Sequence, residues 1–198
     1  MTRKWVPRPM RSWMDRWAEY KENLKQRRPA TYWVVELAET LGSAIILALL
    51  IKQFILQSSL VFSGSMIPTL QIGDRVIVNK IPFYYRIPRQ GEVILFESPY
   101  KDNREFVKRL IGLPGDRILI QRGDVYVNDQ FLDLPGVNVD TDYSFFGPIT
   151  VPSDHYFVLG DNRGNSADSR VWGFVPKKDL IGIAEFIYWP PARVQVVH

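Results

Sequence analysis

The pattern of hydrophobic and polar positions changes twice along the 198-residue chain. Residues 1–31 scatter Trp5, Trp13 and Trp17 among Lys and Arg. Tyr32 to Gln57 is apolar, with an uncharged run of twelve residues from Thr40 to Ile51. From residue 58 onward the apolar residues come in short alternating or β-branched runs between turn signals. The middle segment fits one helix from Trp33 to Leu56, about 36 Å long at about 1.5 Å per residue. That length crosses a hydrocarbon core of about 30 Å if Glu36 and Glu39 lie near one interface and Lys52 reaches toward the other. Tyr32 and Trp33 then fall at headgroup depth, where amphipathic rings are favoured. A soluble or surface-lying amphipathic helix is the alternative. A cleaved leader fits less well, because about thirty residues precede the run and no small-residue cleavage pattern follows it.

Residues 58–198 have the size of one domain and the texture of a β protein. Strands are predicted at Arg75–Val78, Glu92–Phe96, Phe106–Ile111, Arg117–Ile120, Asp124–Val127 and His155–Leu159. Ile72-Gly73-Asp74, Arg89-Gln90-Gly91, Leu113 to Asp116 and Arg122-Gly123-Asp124 punctuate them. Strands this close in sequence predict an antiparallel sandwich or barrel-like fold. Residues 129–153, rich in Pro, Gly and Asp, read as a long loop or the rim of a small insertion.

Composition narrows the chemistry. The chain has no cysteine and two histidines, His155 and the final residue His198. Disulfides, cysteine nucleophiles and thiolate metal sites are excluded, and one internal histidine leaves little for a zinc site or a Ser-His-Asp triad. The net charge of +4 is uneven: residues 1–31 hold nine Lys or Arg against Asp15, Glu19 and Glu22, which leaves −2 for the rest. A basic arm before an apolar span predicts a cytosolic N-terminus and an extracytoplasmic remainder. The arm itself reads as an amphipathic helix on the membrane surface.

Three segments hold polar groups beyond what turns require. In Phe62 to Leu70, Ser63 and Ser65 flank Gly64, giving a tight corner from which one hydroxyl can act as a nucleophile while neighbouring donors face an oxyanion. A serine-containing linker has the same composition. In Glu105 to Asp116, Lys108 shares a strand face with Phe106 and Leu110. Apolar surroundings disfavour its charged form and supply the neutral base that a serine without histidine needs. An edge-strand lysine with its head in water is the other reading. Gly160 to Gly173 is long and polar; Ser166 could position a lysine amine, or the segment is a surface loop with an Asp168/Arg170 ion pair.

Together, Ser63–Leu70, Phe106–Asp116 and Gly160–Val175 strongly resemble the signature boxes of bacterial type I signal peptidases, membrane-bound serine proteases that remove signal peptides. The likeness extends over most of residues 33–187. It implies a mostly β, antiparallel catalytic core after one N-terminal transmembrane helix, with a basic arm at 1–31, the span at 32–57 and a catalytic domain at 58–198. A small insertion is expected at about 118–150. The resemblance implies Ser65 as nucleophile, Lys108 as general base, Ser63 as an oxyanion-hole hydroxyl and Ser166 as the serine bonded to the lysine amine. Arg109, Asp161, Asp168 and Arg170 are implied to brace the site by ion pairs. The expected reaction is hydrolysis through an acyl-enzyme, with no metal or cofactor, on preproteins with small residues at the first and third positions before the cut. Membrane lipid and the secretion machinery are the expected partners, nucleic acid is not, and a monomer in the bacterial inner membrane is expected. Two positions depart from the boxes: Gly164 stands where aspartate is usual and Phe62 where proline is usual. A membrane-tethered binding module for preproteins, and a soluble self-cleaving regulator using the same Ser/Lys chemistry, are the rival readings.

Overall fold

The computed structural model describes residues 13–134, 136–137 and 145–197. Part of the basic arm, with Trp5, and residues 138–144 of the expected insertion lie outside the described residues, as does His198. The chain divides into two compact units, Met1–Leu50 and Ile51–His198.

Within the first unit, α1 (Trp13–Arg27) places Trp13, Trp17 and Tyr20 at i, i+4 and i+7, so their rings form a ladder with centroids 6.5 and 5.5 Å apart. Helix α2 (Pro29–Phe54) begins with Pro29, whose fixed φ suits a first helical position. Thr40 and Ser43 return their hydroxyls to the carbonyls of Glu36 and Thr40, at 2.8 and 2.9 Å. The two acids meet a cation, since Lys21 Nζ lies 2.8 Å from Glu39 and 3.6 Å from Glu36. Among the described residues, α2 is one helix long and apolar enough to cross a membrane, with a mean hydropathy of 2.1 in its most apolar window and none of that window buried. Its 26 residues span about 39 Å. It starts and ends three residues earlier than the sequence expectation of 32–57, because Leu56 and Gln57 belong to the next strand.

The second unit is built on two antiparallel sheets. Its strands are β1 (Leu56–Leu60), β2 (Arg75–Asn79), β3 (Val93–Glu97), β4 (Glu105–Gly112), β5 (Arg117–Gln121), β6 (Asp124–Val127), β7 (Gln130–Phe131), β8 (Phe145–Thr150), β9 (His155–Leu159), β10 (Val175–Pro176), β11 (Leu180–Trp189) and β12 (Gln195–Val196). The larger sheet runs β1-β2-β11-β3-β4-β9-β10, with β12 also paired to β11; the smaller runs β7-β6-β5-β8. The strands of the smaller sheet lie between 117 and 131 and at 145–150; the sequence expectation for the small insertion is about 118–150. Two short helices, α3 (Pro82–Tyr85) and α4 (Ser169–Trp172), complete the unit.

Strand β3 shows why a continuous apolar run forms here. Both its faces are covered: Val93 and Leu95 pack with Met66, Leu70, Val76, Val78 and Ile187, while Ile94 and Phe96 pack with Leu110, Tyr156 and Val158. A third cluster, including Ile111, Ile118, Ile120, Phe157 and Leu159, joins the small sheet to the ends of β4 and β9. Strand β4 therefore runs through the middle of the core. It pairs with β3 along Glu105–Arg109, and with β9 from Arg109 onward.

Candidate active site

The serine corner is made by burial on one side and polar anchoring on the other. Gly64–Met66 form a single 3-10 turn. Met66 and Leu70 are fully sequestered in the core, and Ser65 is itself buried. The carbonyls of Gly64 and Ser65 accept bonds from Asn162 Nδ2 and Asn162 N, at 3.1 and 3.0 Å. A residue 98 positions away thus fixes the direction of the corner. Ser63, on an extended backbone, has its Oγ 3.2 Å from Ser65 Oγ.

Lys108 comes to this corner from β4, opposite Ile94. It is 4% exposed, and its amine donates a hydrogen bond to Ser65 Oγ. Burial disfavours the ammonium and brings the lysine pKa down from 10.5 to about 8. The negative charges of Asp168 and Asp161 oppose that shift, and the positive charge of Arg170 adds to it. A pKa near 8 leaves a useful fraction of free amine near neutrality.

Two ion pairs join residues of these segments: Arg109–Asp161 is buried on both sides, and in Asp168–Arg170 the acid is buried and the arginine partly buried. Arg109 clasps Asp161 through Nε and Nη2, at 2.7 and 2.6 Å, with Asp161 wholly inaccessible. Such a bidentate pair is viable in the interior only when its remaining valences are met. Thr69 donates to Asp161 at 2.6 Å, and Arg109 Nη1 donates to the Gly91 carbonyl at 2.7 Å. Arg170 binds Asp168 through Nε and Nη2, both at 2.9 Å. Asp168 also accepts from Gly160 N at 3.0 Å, and Arg170 Nη2 donates to the Arg163 carbonyl at 2.7 Å. The 160–170 loop is therefore closed on itself by charge-assisted bonds.

Ser166 behaves differently from expectation. Its Oγ does not bond the lysine amine; it is buried without a hydrogen-bond partner among the described residues. It packs on Gly160, where an added Cβ would lie 2.2 Å from Ser166 Oγ and 2.5 Å from the Ser65 carbonyl oxygen. Only a residue without a side chain lets the two segments approach this closely. Gly160, Asn162 and Thr69 were all missed as individual site residues. Their only signal was membership of unusually polar loops; the partners that give them meaning are far away in sequence.

Both departures face solvent. Phe62 is 80% exposed, and Gly164 sits exposed in the 3-10 turn Arg163–Asn165. His155 is remote from the corner in its bonding: Nδ1 lies 2.8 Å from the Ser153 carbonyl, and the ring meets Phe174 edge-on. No cluster of three or more His, Asp or Glu among the described residues is arranged to hold a metal.

Beside Ser65 and Lys108 lies a cavity of about 320 Å³ that also touches Tyr100, Asn165 and Ala167. It shares Ser63, Arg104, Phe106 and Val107 with a neighbouring groove of about 660 Å³ running along Ser59–Ser63. Strand β1 ends the larger sheet, so its outer edge is unpaired, and the first residues of β4 are paired on one side only. Two strand edges with free main-chain groups thus flank a groove that ends at a serine hydroxyl bonded to a buried amine. An extended peptide can add to edges of this kind.

Residues 34–189 match the family model described as "Signal peptidase, peptidase S26". The chain belongs to this family. It is 43% identical over 175 residues to the probable signal peptidase I-2 of Synechocystis sp., covering 86% of this chain and 79% of that protein. It is 40% identical to signal peptidase I of Leptolyngbya laminosa, with coverages of 81% and 82%. The thylakoidal processing peptidase 2 of Arabidopsis thaliana is 35% identical, over 82% of this chain and 46% of its own length. A crystal structure of a signal peptidase I from Enterococcus faecalis is 33% identical, covers 50% of this chain and 97% of its own, and superimposes with a TM-score of 0.43. As a peptidase S26 family member the chain is a hydrolase, and its mostly antiparallel β architecture agrees with the expected fold class.

Proposed function

We propose that the chain is a membrane-anchored serine endopeptidase that removes signal peptides from exported preproteins with Ser65 and Lys108 as a catalytic dyad. The observation that carries this reading is the direct bond from the Lys108 amine to Ser65 Oγ, in a site buried enough to bring the lysine pKa to about 8.

In the proposed reaction the neutral Lys108 amine takes the proton from Ser65 Oγ as that oxygen attacks the scissile carbonyl carbon. The tetrahedral oxyanion is met by the Ser63 hydroxyl and the Ser65 backbone N–H, donors already oriented before the charge develops. Ser63 Oγ, 3.2 Å from the nucleophile, is within reach of an oxygen formed there. The Lys108 ammonium then protonates the leaving nitrogen as the C–N bond breaks, leaving an acyl-Ser65 ester and a neutral amine. Water gives a proton to Lys108 and its oxygen attacks the ester. The same proton returns to Ser65 Oγ as the ester bond breaks. Arg109–Asp161 and Asp168–Arg170 hold the two loops in register and take no part in proton transfer. Ser166 acts through packing on Gly160, not through a bond to the amine.

The substrate is proposed to lie extended between the edges of β1 and β4, with small residues before the cut entering the cavity beside Ser65. The basic arm sets the N-terminus of α2 on the cytosolic side of a bacterial inner membrane, and residues 58–198 stand outside. A serine-directed acylating probe, located by mass spectrometry, tests the dyad. Labelling is expected at Ser65 in the intact chain and should be lost in Lys108→Ala. Labelling at another serine, or at Ser65 regardless of Lys108, would contradict the assignment.

A further inference from the structure

The groove that leads to Ser65 is floored by side chains from both strand edges. Gln57 and Ser59 are the half-buried residues of β1, and Val61, next in the same alternation, is buried. On β4, Glu105 and Val107 share a face, and Val107 packs against the core cluster that holds Val61. Farther from Ser65, Gln57 Nε2 donates to both oxygens of Glu105, at 2.8 and 3.0 Å. Strands β1 and β4 are not neighbours in the sheet, so this bond crosses the groove between them. The crossing is electrically one-sided. Gln57 is neutral, and Glu97 stands opposite Glu105 in the β3–β4 register. Arg104, the cation beside Glu105 in the groove lining, is engaged by Asp102, which its Nε meets at 2.6 Å. A carboxylate is therefore the charge that the groove presents at this point.

We infer that Gln57 and Glu105 form a specificity subsite for about the fifth substrate residue before the cut, one that favours a basic side chain and disfavours an acidic one. The inference rests on the peptidase reading proposed above. Strand β1 begins at Leu56, just after α2 ends at Phe54, so Gln57 marks the end of the groove nearest the proposed span. The apolar part of a signal peptide precedes its cut, and a substrate coming from the membrane enters at that end. The distance from Gln57 to Ser63 along the chain is about 20 Å, room for about six extended residues. Alternate side chains of an extended peptide face the same way. With the first and third positions before the cut turned toward the enzyme, the fifth is the next to do so, and it meets the Gln57–Glu105 crossing. A lysine there takes the place of the Gln57 amide on Glu105 and makes a bond between two charges. An aspartate meets a like charge instead.

The test uses the purified full chain and synthetic signal-peptide substrates that differ only in carrying Lys, Asn or Asp at the fifth residue before the cut, with the cleaved bond located by mass spectrometry. The Lys peptide should exceed the Asp peptide in kcat/KM by at least about fivefold, since an exposed ion pair and its like-charge counterpart each change binding by up to about fivefold. The difference should lie in KM, as expected of a contact remote from the reacting atoms, and should shrink toward unity in about 1 M salt. Glu105→Gln should bring the Lys-to-Asp ratio to about one. Gln57→Ala, which releases the carboxylate, should preserve or enlarge that ratio. A bond that only stapled the two strands would be lost alike in either variant. A ratio of about one in the unaltered chain, a ratio that survives Glu105→Gln, or one abolished equally by Gln57→Ala would overturn the inference. Where the Asn peptide is cut at the intended bond, such a failure refutes this subsite alone, whereas a chain that cuts none of the peptides refutes the peptidase reading and the subsite with it.

Discussion

Lys108 is the residue on which the proposed chemistry turns, and its environment makes two demands that are measurable. With a pKa of about 8, the free amine grows about tenfold per pH unit below that value and then saturates. The kcat/KM for peptide cleavage should follow this single ionisation, rising to a plateau above about pH 8; a profile flat from about pH 6 to 9 would rule out a lysine base. The same shift has a cost in stability. Folding lowers the lysine pKa from 10.5 to about 8, so between those values the unfolded chain holds a proton that the native chain lacks, and stability rises with pH. Below about pH 8 both states are protonated and the native state bears the full cost of a buried charge, on the order of 3 kcal/mol. Lys108→Met, which fills the same space without charge, should therefore raise the unfolding midpoint at pH 7, with a gain that shrinks as pH approaches 10.5. An equal gain at every pH in thermal denaturation would show that the lysine is not buried as a charge. The sequence pointed to Lys108 through its apolar neighbours Phe106 and Leu110, whose burial is local. It could not reveal that Ser166 turns to Gly160 instead of the amine, because that depends on how two distant loops pack.

At the level of elements, the site is one strand, one corner and one loop pinned together. Asn162 and Gly160 do the pinning, the first by bonding the corner carbonyls and the second by having no side chain. Gly160→Ala should push Ser166 or the Ser65 carbonyl aside and lower kcat by about 100-fold, the effect of roughly 1 Å of misplacement. Circular dichroism should show the β-sheet retained; unchanged kcat would mean that the loop contact does not position the nucleophile. The six strands read from alternating or β-branched runs, β2 to β6 and β9, match observed strands to within a residue or two: β2, β5 and β6 alternate over one buried face, whereas β3, β9 and the second half of β4 are apolar runs buried on both faces. Strand β11 escaped notice, although it is the longest. Register shifts beside Gly182, Glu185 and Tyr188 break its alternation. Strand β8 contains Gly147-Pro148 and buries none of its residues, so its sequence reads as loop. Strand β1, Leu-Gln-Ser-Ser-Leu, is too polar to stand out and acquires its identity by pairing with β2.

For the whole molecule, the uneven charge and the missing cysteine and histidine describe one design: a +6 arm, then an apolar helix and a β domain that together carry −2, with a serine whose partner is a lysine in place of a histidine. Long-range pairs that stabilise the domain, such as Asp74 with Arg193 at 2.9 Å across 119 positions, were not legible in the sequence because neither residue lies in a recognisable pattern with the other. The boxes were legible because their residues are contiguous and their chemistry is local. The most direct measurement is cleavage of a signal-peptide-bearing preprotein by the purified full chain, compared with Ser65→Ala, Lys108→Ala and His155→Ala at about pH 9, where most of the lysine is neutral. The account requires wild-type turnover from His155→Ala and a loss of at least about 1,000-fold from each of the other two, with the fold intact. Substantial turnover by Lys108→Ala, or its loss on replacing His155 alone, would contradict it.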